Sequence, residues 1–474
     1  MAASIKRLGK ETLIYGTSTV LARLLNFCLV PFYTYYLLPG DYGVIATTFA
    51  VIALLNVIFL FGMDQSYLRF ASEQTQKTDV FQHCFYGVLA NGLVLAVLLW
   101  LFAKPFAALI GIGAQYAYLV HLAMWILLLD VLNMIPFTKL RLERRPWYFA
   151  GVRTASIVVN VLGNIFFIAV LHKGIASILW ANIFASLTSL LLLSPVVWKE
   201  LLAKKPQFNA QLTRAMIRFA WPFVPSGLAS LLISVIDKPI LVHLAGLAQV
   251  GIYQANFKIG VFMMLLVSMF DQAWRPFFLA HAQEPDAKQT FARVLTCFTA
   301  LGTWFLLGLS FLMPPIIQSN IFGNFHLISP NYWSGLNVIP CVLTGYFCYG
   351  LYVNFMIGPV LTKKTRILLW ITLLGAAVSI TTNLTLVPYI GILGAGWAVA
   401  LSYGAMAAAL FKFTQKNYPI PYEYKKLAVI AGACVLASLI AYVVSKQAQP
   451  YALGVKVLLL SIYPLVMWLT VKKA

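Results

Sequence analysis

Residues 43–63, GVIATTFAVIALLNVIFLFGM, form a run without a charged side chain. About 20 apolar residues in a helix cross a hydrocarbon core of about 30 Å, so this run predicts a transmembrane helix. Thirteen further apolar segments predict spans at roughly 12–37, 82–107, 115–138, 150–171, 175–197, 218–243, 248–274, 291–313, 332–358, 367–388, 391–411, 427–445 and 452–471. Lipid offers no partner to open backbone, and the alternating ten-residue segments of a β-barrel are absent, so an all-α membrane protein with about 14 spans is expected.

Composition and charge support this class and give it an orientation. Of the 474 residues, 61% are hydrophobic and 10% charged, against about 25% charged in soluble domains. With the N-terminus in the cytoplasm, most Lys and Arg residues fall on cytoplasmic connections, and the opposite face holds Lys104, Lys173 and Lys446. This is the bias expected of cytoplasmic loops, so both termini are predicted to be cytoplasmic. The net charge of +21 therefore reflects topology and not nucleic-acid binding, which needs a basic face on a folded domain.

The second half of the chain echoes the first in its charged helix ends. Asp64 is followed by Gln65 and Arg69, and Asp271, 207 residues later, is followed by Gln272 and Arg275. Helix-end charges often only anchor a span, but their repetition favours a shared structural or gating role.

Prolines and glycines repeat as well. Pro31 and Gly43 match Pro239 and Gly251 at an offset of 208. Both prolines fall within predicted helices, where each removes a hydrogen bond and bends the helix, although prolines are also ordinary in membrane helices.

These echoes predict two similar lobes of six helices each. Six is an even number, so the lobes would share one orientation, related by a pseudo-two-fold axis along the membrane normal, as in transporters with parallel repeats. The predicted parts are an N-lobe (1–198), a basic cytoplasmic linker (199–217), a C-lobe (218–416) and two C-terminal helices (417–474).

Ionisable residues inside the spans are functional hypotheses by default, because a charge at membrane depth is costly. The candidates are Arg23, Asp130, Asp237, Lys238 and Lys258. Arg153 and Lys456 also fall inside spans. Arg23 and Lys238 could instead reach towards the membrane interface. Asp237 and Lys238 are chain neighbours, which do not face one another on a helix, so we expect them to pair with other helices or to face a wet cavity. Lys258 could be a partner of Asp237. For Asp130, a structural pair between helices is at least as strong an explanation as transport.

No enzyme signature is present. The six cysteines and six histidines lack metal-ligand spacing, and neither a phosphate-binding Walker loop nor a Gly-x-Ser-x-Gly elbow occurs. We therefore predict no catalytic residue, metal or cofactor.

Several motifs resemble those of a known family, the bacterial polysaccharide or O-antigen flippases of the multidrug/oligosaccharidyl-lipid/polysaccharide exporter superfamily. The similar stretches are Tyr15-Gly16-Thr17-Ser18 through Arg23, Pro31-Phe32-Tyr33, Leu38 through Gly43, Gly62-Met63-Asp64-Gln65 with Arg69-Phe70, and Asn256-Phe257-Lys258-Ile259 through Ala273-Trp274-Arg275-Pro276-Phe277.

The resemblance implies that an undecaprenyl-pyrophosphate-linked oligosaccharide moves from the inner to the outer leaflet of the bacterial cytoplasmic membrane, by alternating access, for surface polysaccharide synthesis. Its partners would be this lipid, the membrane lipids and other polysaccharide-assembly proteins. A cavity between the lobes, lined by Arg23, Lys238 and Lys258, would carry the anionic pyrophosphate. Asp64, Asp237 or Asp271 could couple transport to a proton or sodium gradient.

Three alternatives remain open. A multidrug antiporter of the same superfamily would need an acidic cavity, whereas a basic excess lies within the spans. A major-facilitator transporter would carry a glycine-and-basic signature, which is absent from the 64–81 connection of this sequence. A membrane-embedded glycan polymerase or glycosyltransferase would be expected to carry a sizeable external domain, and the longest external connection, 314–331, has no charged residue.

Overall fold

The computed structural model describes residues 24, 25, 27–73, 77–203, 209–320, 325–445 and 449–472. All long secondary-structure elements in these ranges are helices. Arg23 lies outside the described residues. The helices are α1 (27–36), α2 (Pro39–Leu60), α3 (Met63–Glu73), α4 (Lys77–Leu101), α5 (Ala103–Leu109), α6 (Ala117–Leu142), α7 (Pro146–Ile165), α8 (Ala176–Leu202), α9 (Ala210–Ala220), α10 (Phe223–Val235), α11 (Asp237–Ala245), α12 (Leu247–Phe257), α13 (Val261–His281), α14 (Ala287–Gln318), α15 (Val338–Phe355), α16 (Ile357–Leu361), α17 (Arg366–Ile390), α18 (Ile392–Asn417), α19 (Tyr424–Val444) and α20 (Gln449–Lys472).

Thirteen helical segments of the described chain are long and apolar enough to cross a membrane. They correspond one for one to the second to fourteenth predicted spans. Half of the predicted first span, 12–37, lies outside the described residues. The all-helical, multi-pass class predicted from hydropathy is therefore confirmed.

Breaks within the spans follow the backbone chemistry of single residues. The second span runs from Pro39 to Ser72 and is interrupted where Phe61 and Gly62 take positive φ angles of 53° and 68°. Pro239 has no N–H to bond to the carbonyl of Val235, the last residue of α10, and the chain begins the new helix α11 at Asp237.

The chain divides into two compact units, Met1–Gly251 and Ile252–Ala474. In the first unit, α6 packs on α2, α4 and α8, and α7 packs on α8 around the buried side chains of Phe137, Leu140 and Leu193. Helices α9, α10 and α11 lie against α2 and α3 of this same unit. The predicted lobes, with a linker at 199–217, are defined by the sequence repeat, whereas the two compact units are defined by packing. The lobes therefore stay a prediction.

The second unit is built around α15 and α18, with α17 packed on α18. The last two helices, α19 and α20, pack on α14 around Leu307, Ile430 and Tyr463. The Tyr463 hydroxyl donates to Thr303 Oγ1 at 2.9 Å, which gives this buried polar group a partner on the facing helix.

Two glycines allow α2 and α12 to approach closely within the first unit. A Cβ atom on Gly251 would lie 2.9 Å from the backbone nitrogen of Gly43 and would overlap the Pro39 carbonyl oxygen. A Cβ atom on Gly43 would likewise overlap the Leu247 carbonyl oxygen. Small residues at helix interfaces let backbones meet in membranes. These are the two glycines matched by the predicted repeat.

Candidate functional site

A buried ion pair opens α11. Lys238 Nζ donates to Asp237 Oδ1 at 3.0 Å, and the same oxygen accepts the Lys238 backbone N–H at 2.9 Å. Asp237 is 1% exposed and Lys238 5% exposed, so both charges are inside the protein. Asp237 is the first residue of α11, where amide groups lack helical partners and favour a carboxylate. Chain neighbours do not face one another on an uninterrupted helix, but the helix break before Asp237 lets these two side chains meet.

Lys258 occupies a single 3-10 turn, Lys258–Gly260, between α12 and α13. Its side chain is partly exposed, whereas Gly260 packs against Val342 and Tyr346. Asp237 and Lys258 belong to different compact units, so their pairing stays a prediction. With Arg23 outside the described residues, the three predicted cargo-binding residues remain a hypothesis.

The repeated helix-end charges have different partners in the two units. Asp64 Oδ2 accepts from Gln65 Nε2 at 2.7 Å, and the Arg69 guanidinium lies over the Phe219 ring, 4.9 Å from its centre. In the second unit, Arg275 Nε and Asp271 Oδ1 form an ion pair at 2.7 Å, one helical turn apart. Their gating role stays a prediction.

A basic groove lies between α3 and α9. We call it the arginine groove; its volume is about 600 Å³ and its lining includes Arg69, Phe70, Gln211, Arg214, Arg218 and Phe219. No acidic residue is among the described residues that line it. Arg214 falls in the predicted basic linker, Arg218 begins the next predicted span and Arg69 is one of the repeated helix-end charges, and nothing in the sequence pattern brings the three together.

The sequence analysis also missed a buried charge cluster. Lys139 of α6 bonds to Glu200 of α8 at 2.7 Å and to Glu143 at 2.8 Å, and the side chains of Lys139 and Glu200 are each 10% exposed. Gln82 of α4 donates to the Glu200 backbone carbonyl at 2.9 Å. The available signal was a glutamate standing alone in a basic stretch. The cluster joins the ends of three helices.

Asp130 is part of a contact between α6 and α8. The Ser186 hydroxyl donates to Asp130 Oδ1 at 2.6 Å, and Asn133, one turn along α6, donates to the Ser186 carbonyl at 2.8 Å. This geometry fits the structural explanation for Asp130. Among the described residues, no group of His, Cys, Asp or Glu side chains could hold a metal ion.

Comparison with known structures places the fold among transporters. The lipid II flippase MurJ in an inward closed conformation matches with a TM-score of 0.74 and 16% identity, over 97% of this chain and 99% of that chain. An inward-facing multidrug resistance transporter of the MATE family, in the MOP superfamily, matches with a TM-score of 0.60 and 11% identity, over 87% of this chain and 96% of the other. At these identities the likeness establishes the fold alone.

Sequence comparison gives the family. The succinoglycan biosynthesis transport protein ExoT of Rhizobium meliloti (strain 1021) is 26% identical over 233 residues, which cover 49% of this chain and 45% of that protein. The matched region is thus about half of each chain.

The fold and the membrane spans define a multi-pass membrane protein with a transporter-like fold. The family model described as polysaccharide biosynthesis protein matches residues 8–280, and the chain belongs to that family.

Proposed function

We propose that this protein moves an undecaprenyl-pyrophosphate-linked oligosaccharide from the inner to the outer leaflet of a bacterial cytoplasmic membrane during surface polysaccharide synthesis. The observation that carries the proposal is membership of a polysaccharide biosynthesis family in a chain with a flippase-like transporter fold. The related transport protein named for succinoglycan biosynthesis supports the same class of cargo.

The charges of the chain suit an anionic cargo. Arg23, Lys238 and Lys258 are basic residues in predicted spans, and guanidinium groups bind phosphate through a planar fork of donors. An inside-negative membrane potential favours outward movement of a negative charge by about 2.3 kcal/mol per charge per 100 mV. In the proposed cycle, alternating access between two lobes carries the head group while the lipid tail stays in the bilayer, and a proton or sodium gradient supplies further energy.

A cation-coupled multidrug antiporter is the second candidate, because the fold also matches a multidrug transporter. Cationic cargo requires accessible carboxylates in the transport path. Of the described carboxylates within the spans, Asp237 bonds to Lys238, Asp271 bonds to Arg275 and Asp130 accepts from Ser186. Asp64 accepts from the Gln65 amide. This engagement favours the anionic cargo.

The test is a flipping assay in proteoliposomes that contain a lipid-linked oligosaccharide, read by its exposure to a membrane-impermeant glycosidase. The variant is Arg23→Gln with Lys258→Gln. The matched control is Lys412→Gln with Lys416→Gln, which removes two exposed charges at the end of α18. We expect flipping by the wild type and the control, and loss in the test variant.

Equal flipping by both double variants would refute the cationic path. Absence of flipping by the wild type, together with export of a lipophilic cation, would support the antiporter. In cells, deletion of the gene should cause the lipid-linked glycan to accumulate on the cytoplasmic face, and chemical analysis of that lipid would identify the cargo.

A further inference from the structure

Two arginines of the arginine groove, Arg214 and Arg218, carry positive charge that the described structure does not neutralise. Arg214 and Arg218 are exposed and lie one helical turn apart on α9. Within the described ranges, neither forms an ion pair or hydrogen bond, and no carboxylate lines the groove. Like charges four residues apart on a helix destabilise one another, so a bound anion would relieve this repulsion.

The groove is held in place by contacts on both of its helices. The Ser66 hydroxyl of α3 donates to the Met216 carbonyl of α9 at 2.8 Å. At the start of α9, the Asn209 backbone N–H donates to His83 Nε2 at 3.0 Å, and the Asn209 side chain caps the helix by accepting two backbone N–H groups. The backbone of α9 is therefore fixed, and binding needs to order only the arginine side chains.

Aromatic rings orient the third arginine. The Arg69 guanidinium lies 4.9 Å from the centre of the Phe219 ring, and Phe70 meets Phe219 edge to face at 6.1 Å. The Phe219 ring attracts the guanidinium and holds it beside the groove. Arg69 thus faces the same groove as the two arginines of α9.

The surroundings of the groove fit the surface of a membrane. Ile217 on α9 is 42% exposed, and Trp221, directly after α9, is 58% exposed. Tryptophan and amphipathic helices of this kind sit at the level of lipid head groups, and the charge pattern predicts this end of the spans to be cytoplasmic. An anion that reaches the groove from the bilayer would be a lipid head group.

We propose that Arg69, Arg214 and Arg218 form a binding site for the phosphate or pyrophosphate head group of a lipid in the cytoplasmic leaflet. The proposal uses other residues than Arg23, Lys238 and Lys258, and it does not require that the bound lipid be the transported one.

The experiment measures lipid binding by the full-length protein in phosphatidylcholine nanodiscs. The probes are undecaprenyl pyrophosphate, phosphatidylglycerol and inorganic pyrophosphate, each titrated separately. The test variant is Arg214→Gln with Arg218→Gln. Lys412→Gln with Lys416→Gln is the control for total charge, and Arg214→Lys with Arg218→Lys keeps the charge without the planar fork.

We expect at least one of the two lipids to bind about tenfold or more weakly to the Gln variant and equally well to the control, with the Lys variant between them. A preference for undecaprenyl pyrophosphate would make the groove a loading site, and a preference for phosphatidylglycerol would make it a site for bulk lipid. Equal binding of both lipids by the Gln variant and the wild type, or binding of inorganic pyrophosphate alone, would overturn the proposal.

The experiment measures lipid binding and not lipid transport, so its result does not depend on the proposed function. A protein that binds the lipid through these arginines but does not flip it would refute the transport proposal and leave the groove intact. Because both arginines of α9 are exposed and repel one another, their substitution should not lower the melting temperature, which is measured on the same samples.

Discussion

Gly43 of α2 and Gly251 of α12 lie against one another, and each also meets a backbone carbonyl of the opposite helix. A methyl group at either position has no flexible side chain to displace. We expect Gly43→Ala or Gly251→Ala to destabilise the protein by about 1–3 kcal/mol, as overpacking does in tightly packed interiors. The melting temperature in detergent and the amount of protein in the membrane measure this loss.

Gly40→Ala is the matched control, because a Cβ atom at Gly40 of the same helix would meet no atom within 4 Å. Its melting temperature should equal that of the wild type or exceed it, since alanine favours a helix over glycine by up to about 1 kcal/mol. Identical melting of the Gly40→Ala and Gly43→Ala proteins would show that the helices do not meet at these glycines.

The Asp237–Lys238 pair allows structure and transport to be separated. Lys238→Met removes the ammonium that bonds to the Asp237 carboxylate, and breaking a buried pair costs about 3–5 kcal/mol. The double variant Asp237→Asn with Lys238→Met leaves no isolated charge of this pair, so its melting temperature should recover most of the loss. If Lys238 also binds the cargo, the double variant will be stable and will not flip.

A double variant that melts as low as Lys238→Met would show that Asp237 and Lys238 are not each other's main partners. Lys238→Glu is a poorer test, because it puts a second carboxylate beside Asp237 and confounds a loss of binding with a loss of folding.

The Lys139–Glu200 contact predicts a structural cost in the first unit. Lys139→Met should lower stability by about 3–5 kcal/mol, because Glu200 would keep its charge in a buried position with its partner removed. Lys199→Met, one residue before Glu200 on an exposed face of α8, should have little effect. Thermal unfolding of the two variants provides the comparison, and a similar loss in both would mean that net charge, and not this ion pair, stabilises the helix ends.

Glu423 predicts a dependence of stability on pH in the second unit. Burial alone would raise the pKa of its carboxyl, but hydrogen bonds from Lys426 and Thr296 and the charges of Lys426 and Arg293 lower the pKa below its ordinary value of 4.5. A lowered pKa contributes stability above the unfolded value, and this contribution is lost as the pH falls below about 4.5.

The melting temperature of the wild type should therefore drop more steeply below about pH 4.5 than that of Glu423→Gln. Glu284→Gln is a suitable control, since its more exposed carboxylate has His281 as its described ion-pair partner, at 3.9 Å. If the melting temperatures of the wild type and Glu423→Gln fall equally with pH, the Glu423 carboxylate is not the cause of the loss of stability in acid.

Hydropathy predicted the spans because lipid solvation acts on whole segments of about 20 residues. It did not predict that the second span continues through α3, since Asp64, Gln65 and Ser66 read as the end of an apolar run. Their polar groups are satisfied by specific partners, such as the Met216 carbonyl for Ser66. Hydropathy averaged over a segment of the sequence carries no information about such hydrogen-bond partners.

The site was harder to predict because its residues converge only through packing. Arg69 and Arg218 are far apart in the chain and share a groove because α3 lies on α9. The Asp237–Lys238 contact depends on a helix break at Ile236. The apolar pattern of the sequence does not change at that residue. The charge pattern indicated which residues were unusual, and the helix packing determined which of them meet.

The adjacency of Asp237 and Lys238 also bears on how the chain enters the membrane. A single Lys or Asp at the centre of a span costs about 2.5–3.5 kcal/mol during insertion, when neighbouring helices are not yet in place. Because these opposite charges are consecutive residues with a hydrogen bond between them, each can neutralise the other as soon as the segment emerges from the translocation machinery. The segment thus carries its own counter-charge into the bilayer, before any other helix can provide one.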